Sequence, residues 1–122
     1  MLRALLIAAA MAAPGASLAE TRLLMLDQPA CEYCALWDAE VGSVYAKTVE
    51  GRQAPLIRHP IHSAPLDGVA LVRPARYTPT FVLLSDGAEV GRIEGYPGES
   101  FFYGLLQNLL TKADQPAQKG EK

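Results

Sequence analysis

Apolar and polar positions follow different periods along this chain, and each period predicts an element. Arg22 to Asp27 is an unbroken apolar run between charged ends, as in a central strand covered on both faces. Gln28-Pro29-Ala30 breaks it. From Cys31 to Val49 the residues Cys34, Trp37, Val41, Val44, Tyr45 and Thr48 recur at helical spacing, while Glu32, Asp38, Glu40 and Lys47 fall on other faces. That pattern predicts one amphipathic helix, ended by Glu50-Gly51-Arg52. Ala54 to Arg58 follows as a second short strand, so the segment reads as a βαβ unit with parallel strands.

Residues 59–77 lose this regularity. Pro60, Pro65 and Pro74 interrupt them, and one short apolar turn, Val69 to Val72, follows Asp67 as a capping residue, which predicts a loop with a reduced helix. Thr80 to Leu84 and Glu89 to Glu94 read as strands joined by Ser85 to Ala88, whose Asp86-Gly87 pair marks an antiparallel hairpin. Gly95-Tyr96-Pro97-Gly98 turns the chain. Glu99 to Thr111 places Phe101, Phe102, Leu105, Leu106, Leu109 and Leu110 at helical spacing and predicts a closing helix packed on the sheet. Residues 113–122 read as a polar, mobile tail. The predicted class is α/β, with a mixed sheet built from the βαβ unit, the hairpin and the C-terminal helix.

The first 19 residues change the accounting. Met1-Leu2-Arg3 is a positively charged start, residues 4–13 form an apolar core too short to span a bilayer, and Ser17-Leu18-Ala19 supplies small residues at the cleavage position. This is the pattern of a secretory signal peptide. Cleavage after Ala19 leaves 103 of the 122 residues, beginning at Glu20, with a single domain over residues 20–112. That mature chain keeps 10 of the 11 basic side chains against all 13 acidic ones, a formal charge of −3. It offers no basic face for nucleic acid.

The chain has only two cysteines, Cys31 and Cys34, three positions apart after the first strand. A Cys-x-x-Cys at a helix start puts the first sulfur over unpaired backbone N–H groups, where a thiol pKa of about 8.5 falls to roughly 3.5–7.5. The second sulfur lies one turn inward, within reach of a mixed disulfide on the first, so the pair can carry two electrons. Export leaves a structural disulfide as the competing reading. A loop this short stabilises by only about 2 kcal/mol in the chain-entropy model, and exported domains held by disulfides usually carry several. Cys31 is the candidate nucleophile, and Cys34, continuing the apolar stripe of Trp37 and Val41, is the candidate resolving thiol.

Two neighbours have open roles. Glu32 either raises the Cys31 thiol pKa by its negative charge, biasing the pair towards a reductant, or only complements the helix dipole. Tyr33 either packs against an incoming peptide or fills the dipeptide. His59 and His62 could complete a four-ligand zinc set with the cysteines, but 24 residues separate Cys34 from His59, which is not finger spacing. No phosphate loop or serine triad is present in the sequence. The chemistry requires no metal and no bound cofactor.

The order β, Cys-x-x-Cys helix, β, loop, hairpin, helix resembles a thioredoxin fold. Tyr77-Thr78-Pro79-Thr80 stands before the third strand, where thioredoxin-like proteins keep a cis-proline beside the cysteines. The resemblance makes Thr78 and Pro79 substrate-binding, Thr78 through its backbone, and puts Gly95 in the other loop bordering the site. Phrases spread over nearly all of the mature chain are similar to the SoxS-type periplasmic thioredoxins: Cys31 to Trp37, Glu40 to Gly42, Glu50 to Pro55, Thr78 to Leu84 and Gly91 to Gly98. That resemblance implies a periplasmic reductase for an oxidised partner such as the sulfur-carrier protein of thiosulfate oxidation, resupplied by a membrane thiol-electron transporter. An oxidant or isomerase, and a binding protein with a structural disulfide, are the alternatives.

The chain also departs from ordinary thioredoxins. Ala30 replaces their tryptophan before the first cysteine, and Met25 stands six residues before Cys31, where they keep a buried aspartate that helps proton transfer. Asp27, nearer the motif, is either a base for Cys34 or an exposed strand-end residue. Export is testable at once: intact-mass measurement of secreted protein is expected to give a chain beginning at Glu20, and material retaining Met1 would refute the signal peptide.

Overall fold

The computed structural model describes residues 19–115. Residues 1–18 of the expected signal peptide and 116–122 of the expected tail lie outside the described residues. The apolar run becomes β1 (Thr21–Asp27), which pairs in parallel with β2 (Leu56–Pro60) and antiparallel with β3 (Thr80–Ser85). β3 in turn pairs antiparallel with β4 (Ala88–Glu94), so the mixed sheet has the order β2-β1-β3-β4. Leu23 and Met25 face one core, Leu24 and Leu26 the other, and all four are buried. An unbroken apolar strand is therefore what this position requires.

On the first face, Met25, Phe81 and Ile93 meet Cys34, Trp37 and Val41 below the cysteine motif, and Phe102, Leu106 and Leu110 from α3 (Glu99–Asp114). Trp37 sits among Phe81 and Phe102, with ring centroids 5.1 and 5.8 Å away. The closing helix runs through Asp114, so Ala113 and Asp114, expected in the tail, are helical. Of its double apolar stripe only Phe102, Leu106 and Leu110 are buried; Phe101 and Leu105 are exposed.

The single helix expected from Cys31 to Val49 does not form. α1 (Glu32–Trp37) widens into a π turn at Asp38–Gly42, a 3-10 turn follows at Tyr45–Lys47, and a separate α2 spans Val49–Gln53. The break is local chemistry at Thr48. Its backbone is extended (φ −82°, ψ 162°), its hydroxyl donates to the Tyr45 carbonyl at 2.6 Å and accepts from the Gly51 N–H at 2.9 Å, and so it caps α2 rather than continuing α1. Glu50-Gly51-Arg52, expected to stop the first helix, lie inside α2. The apolar stripe survives the break: Cys34, Trp37, Val41 and Tyr45 are buried, and Val44 is exposed.

The reduced helix expected at Val69–Val72 is likewise absent. Residues 61–75 form an irregular strap whose Ile61, Leu66, Val69, Leu71 and Ala75 cover Leu24, Leu26, Val82 and Leu84 on the second face. Strand-like pairing replaces helix formation: the Ala70 N–H donates to the Gly87 carbonyl at 2.8 Å, and the Glu89 N–H donates to the Ala70 carbonyl at 3.0 Å. Pro65 and Pro74 flank the segment and cannot donate to a helix.

The hairpin forms as expected, with both turn residues left-handed (Asp86 φ 49°, Gly87 φ 83°), as a type I′ turn requires. A Cβ at Gly87 would strike the Gly68 carbonyl of the strap. Between Leu83 and Leu84 the register of β3 against β4 shifts: Gly91 faces Leu83 and Glu89 faces Leu84, leaving Val90 as a bulge. The bulge puts Glu89 and Arg92 on the same face, where they form an ion pair at 2.7 Å with side chains only 2% and 5% exposed. Arg92 also donates to the Arg73 carbonyl at 2.7 Å, and Glu89 accepts from the Val72 N–H at 3.1 Å, so the pair fastens the strap to β4.

The hydrogen bonds from Arg92 hold the Glu89 carboxyl below its ordinary value of 4.5, against the opposing effect of burial. A depressed folded pKa means that Glu89 contributes stability above about pH 4.5, lost as the pH falls through the folded pKa. Glu89→Leu, which strands Arg92, is expected to cost about 3–5 kcal/mol at neutral pH. It should also flatten the acid limb of stability. Urea unfolding of both proteins between pH 3 and 7 checks the two effects together.

Candidate active site

β1 ends in Gln28-Pro29-Ala30, and Ala30 adopts a left-handed backbone (φ 58°) that turns the chain from the strand into α1. Cys31 is the N-cap of α1, with extended backbone (φ −84°, ψ 107°) and its carbonyl accepting the Ala35 N–H at 3.1 Å. Its Sγ accepts the Cys34 N–H at 3.2 Å. The two cysteines are joined as a disulfide, with Cα atoms 5.2 Å apart. Cys31 is half-buried at the surface, while Cys34 is 5% exposed and packed in the first core with Trp37. One sulfur is therefore open to a partner and the other is shielded. In the reduced pair, the N–H aimed at Cys31 Sγ favours its thiolate.

Glu32 and Tyr33 stand outward beside the pair, and Tyr33 is 58% exposed. Together with Ala35, Leu36 and Ala39 they line an open depression of about 450 Å³.

Thr78 and Pro79 enter through β3. Because Leu26 pairs with Thr80, the two residues before Thr80 run alongside the exit of β1, next to the turn that carries the cysteines. The Thr78–Pro79 peptide is cis, and Pro79 is buried. Gly95, left-handed at φ 82°, donates its N–H to the Pro79 carbonyl at 2.7 Å, which joins the two loops that resemblance places around the site. Tyr96 then donates its hydroxyl to Glu40 at 2.7 Å, tying the Gly95 loop to the π turn after α1; burial and the neighbouring carboxylate push the Tyr96 phenol pKa up.

Sequence reasoning weighed His62 only as a zinc ligand and read Gln28 only as the end of a strand, and it missed the contacts that join both to the site. The Gln28 side-chain amide donates to Thr78 Oγ1 at 2.9 Å, and its carbonyl oxygen accepts from His62 Nε2 at 3.1 Å. His62 is thus engaged 34 residues away from its own loop, while His59 donates Nε2 to the Ala64 carbonyl at 2.7 Å. Among the described residues no three His, Cys, Asp or Glu side chains converge as metal ligands. Gln28 carries no local signal beyond ending a strand, because its partners lie far along the chain.

Met25, where ordinary thioredoxins keep an aspartate, is fully buried in the core that holds Cys34. Asp27 lies two residues on and on the same face of β1. It accepts from Arg58 Nη2 at 2.8 Å and Nε at 3.0 Å, and Arg58 also binds Asp38 after α1 at 2.5 Å. The hydrogen bond to Asp38, then that to Asp27, raises the Arg58 pKa and keeps the guanidinium charged. Asp27 is thereby a half-buried member of a clamp between β1, β2 and α1 rather than a free strand-end carboxylate.

No protein-family model matches the chain, and no curated protein matches it. Among solved structures, the chain is similar to the periplasmic thioredoxin SoxS from Paracoccus pantotrophus in its reduced form. The identity is 49% and the TM-score 0.77, over 78% of this chain and all of that one. A likeness over 78% of the chain extends well beyond the four-stranded sheet. The chain belongs to the thioredoxin-like superfamily, among the SoxS-type thioredoxins, and is a thiol–disulfide oxidoreductase.

Proposed function

We propose that this thiol–disulfide oxidoreductase is exported to the periplasm and works there as a reductant of a partner protein bearing an oxidised cysteine. The observation that carries the chemistry is the asymmetry of the pair: Cys31 half-buried at the surface, Cys34 enclosed in the core. In the reduced protein the Cys31 thiolate attacks one sulfur of the partner's disulfide, and the other sulfur leaves as a thiolate. Cys34 gives up its proton and attacks Cys31 Sγ, which releases the second partner thiolate. The product is the Cys31–Cys34 disulfide, and the partner has gained two electrons. Thr78, Pro79 and Gly95 form the groove that receives the partner's chain, and Glu32 and Tyr33 flank the attacking sulfur.

Likeness to a thioredoxin described as periplasmic supports the compartment, and the apolar leader of residues 4–13 is consistent with it. The partner fits a sulfur-carrier protein of a thiosulfate-oxidation system, and the electron donor a membrane thiol-electron transporter. Both assignments rest on the resemblance to the SoxS-type family.

The division of labour has a direct readout. Cys34→Ser should leave partner proteins covalently attached through Cys31, visible as dithiothreitol-sensitive adducts on a non-reducing gel, whereas Cys31→Ser should trap almost none. Equal trapping by both would reverse or abolish the assignment. Direction has its own measurement. Equilibration against dithiothreitol and glutathione should give a potential nearer thioredoxin's, about −270 mV, than a strong periplasmic oxidant's, about −120 mV, a gap of roughly 7 kcal/mol. A value near the oxidant's would replace reduction by disulfide formation.

A further inference from the structure

The orientation of the Gln28 amide gives the hydrogen bonds at the mouth of the site one polarity. His62 Nε2 faces the Gln28 carbonyl oxygen at 3.1 Å, which leaves the Gln28 amide nitrogen to face Thr78 Oγ1 at 2.9 Å. An imidazole bearing hydrogen on Nε2 donates in this arrangement whether neutral or protonated. The Thr78 hydroxyl is therefore an acceptor towards Gln28, and its own proton remains for another acceptor. Among the described residues no group takes it. Thr78 immediately precedes the buried Pro79, in the loop fastened to Gly95.

Neither end of this chain of contacts is local. Gln28 precedes Cys31 by three residues, His62 follows β2, and Thr78 precedes β3, so one amide ties three loops together at the end of the sheet where the cysteines emerge. Arg58, on β2, is engaged by Asp27 and Asp38 and does not compete. The exposed hydroxyl thus has a set orientation and an unused donor, which suits the carbonyl-rich backbone of a polypeptide better than a small disulfide with no peptide groups.

We infer that Gln28 and His62 are positioning residues that turn the Thr78 hydroxyl outward as a hydrogen-bond donor to the backbone of a polypeptide substrate, favouring protein disulfides over small ones. This rests on the reading that Thr78 lines the substrate groove. His62 sets the sense of the Gln28 amide, Gln28 sets the sense of the hydroxyl, and Thr78 alone touches the partner.

The test compares second-order rates of reduction of insulin disulfides and of hydroxyethyl disulfide, taken as a ratio, for Gln28→Ala, Thr78→Val and the double variant. Each single variant should lower the insulin-to-hydroxyethyl ratio about three- to tenfold, the rate equivalent of one neutral hydrogen bond. The double variant should fall no further than Thr78→Val. His62→Ala should lower the ratio by a smaller factor, and His62→Gln, whose amide still donates to Gln28, should restore it. If Gln28→Ala does not fold, Gln28→Glu keeps the shape but accepts the hydroxyl proton, and the same loss is expected. A fall with Thr78→Val but not with either Gln28 variant would overturn the inference and leave Thr78 in the groove. Additive losses in the double variant would also overturn it, because Gln28 would then act by another route. A ratio unmoved by Thr78→Val would remove Thr78 from the groove and the inference with it. Equal losses in His62→Ala and His62→Gln would overturn the part given to His62.

Discussion

Burial of β1 on both faces, with hydrogen bonding along both edges, is the constraint from which the site follows. Leu23 and Met25 are held by the aromatic core around Trp37, and Leu24 and Leu26 by the strap. A one-residue slip of this strand would exchange the two sets without exposing either, so side-chain alternation alone does not fix its register. The ends do. Asp27 must reach Arg58 on β2, and Gln28 must reach Thr78 before β3. Polar contacts at the strand exit thus set the position of the turn that presents Cys31.

The site is an assembly of four loops at one end of the sheet, and each is tied to its neighbour by a contact of a different kind. The Cys31 turn is held to the Thr78 loop by an amide, the Thr78 loop to Gly95 by a backbone bond, and the Gly95 loop back to the π turn by the Tyr96 hydroxyl. The circuit leaves Cys31 as a part-exposed sulfur on a fixed frame. Individual neutral hydrogen bonds contribute only about 0.5–1.5 kcal/mol. Their effect here is on geometry, since a thiolate must approach along the line of the disulfide it breaks.

Much of this was legible in the sequence, and what was not has identifiable causes. The apolar run of β1, the Asp86-Gly87 turn and the cysteine pair are short signals whose meaning is local, while the cis bond at Thr78-Pro79 was expected from the family resemblance; each appears where expected. Helical periodicity from Cys31 to Val49 described correctly the burial of Cys34, Trp37, Val41 and Tyr45, but not the exposure of Val44 or the backbone path, because Thr48 satisfies the Tyr45 carbonyl and the Gly51 N–H with its own hydroxyl. The strap was misread for a related reason: the short apolar turn marked burial, and pairing of Ala70 with the hairpin decided the conformation. Glu89 and Arg92, three apart in a strand, would ordinarily point to opposite faces; only the Val90 bulge brings them together. Gln28 and His62 were hidden by distance, since polar loop residues reveal no partner until the fold supplies one.

Met25 and Asp27 define the surroundings of Cys34 on the core side. Methionine in the core next to Cys34 removes the buried carboxylate that ordinary thioredoxins use, and with it the cost of burying a charge below the active site. The carboxylate on the same face is instead displaced to the strand end, where it meets an arginine shared with Asp38. Two N–H groups of Arg58 occupy Asp27, so its evident task is to hold β1, β2 and the exit of α1 in register. Among the described residues, the core cluster that holds Cys34 contains no carboxylate, so the charge nearest in sequence to Met25 is engaged at the strand end rather than beneath the cysteines.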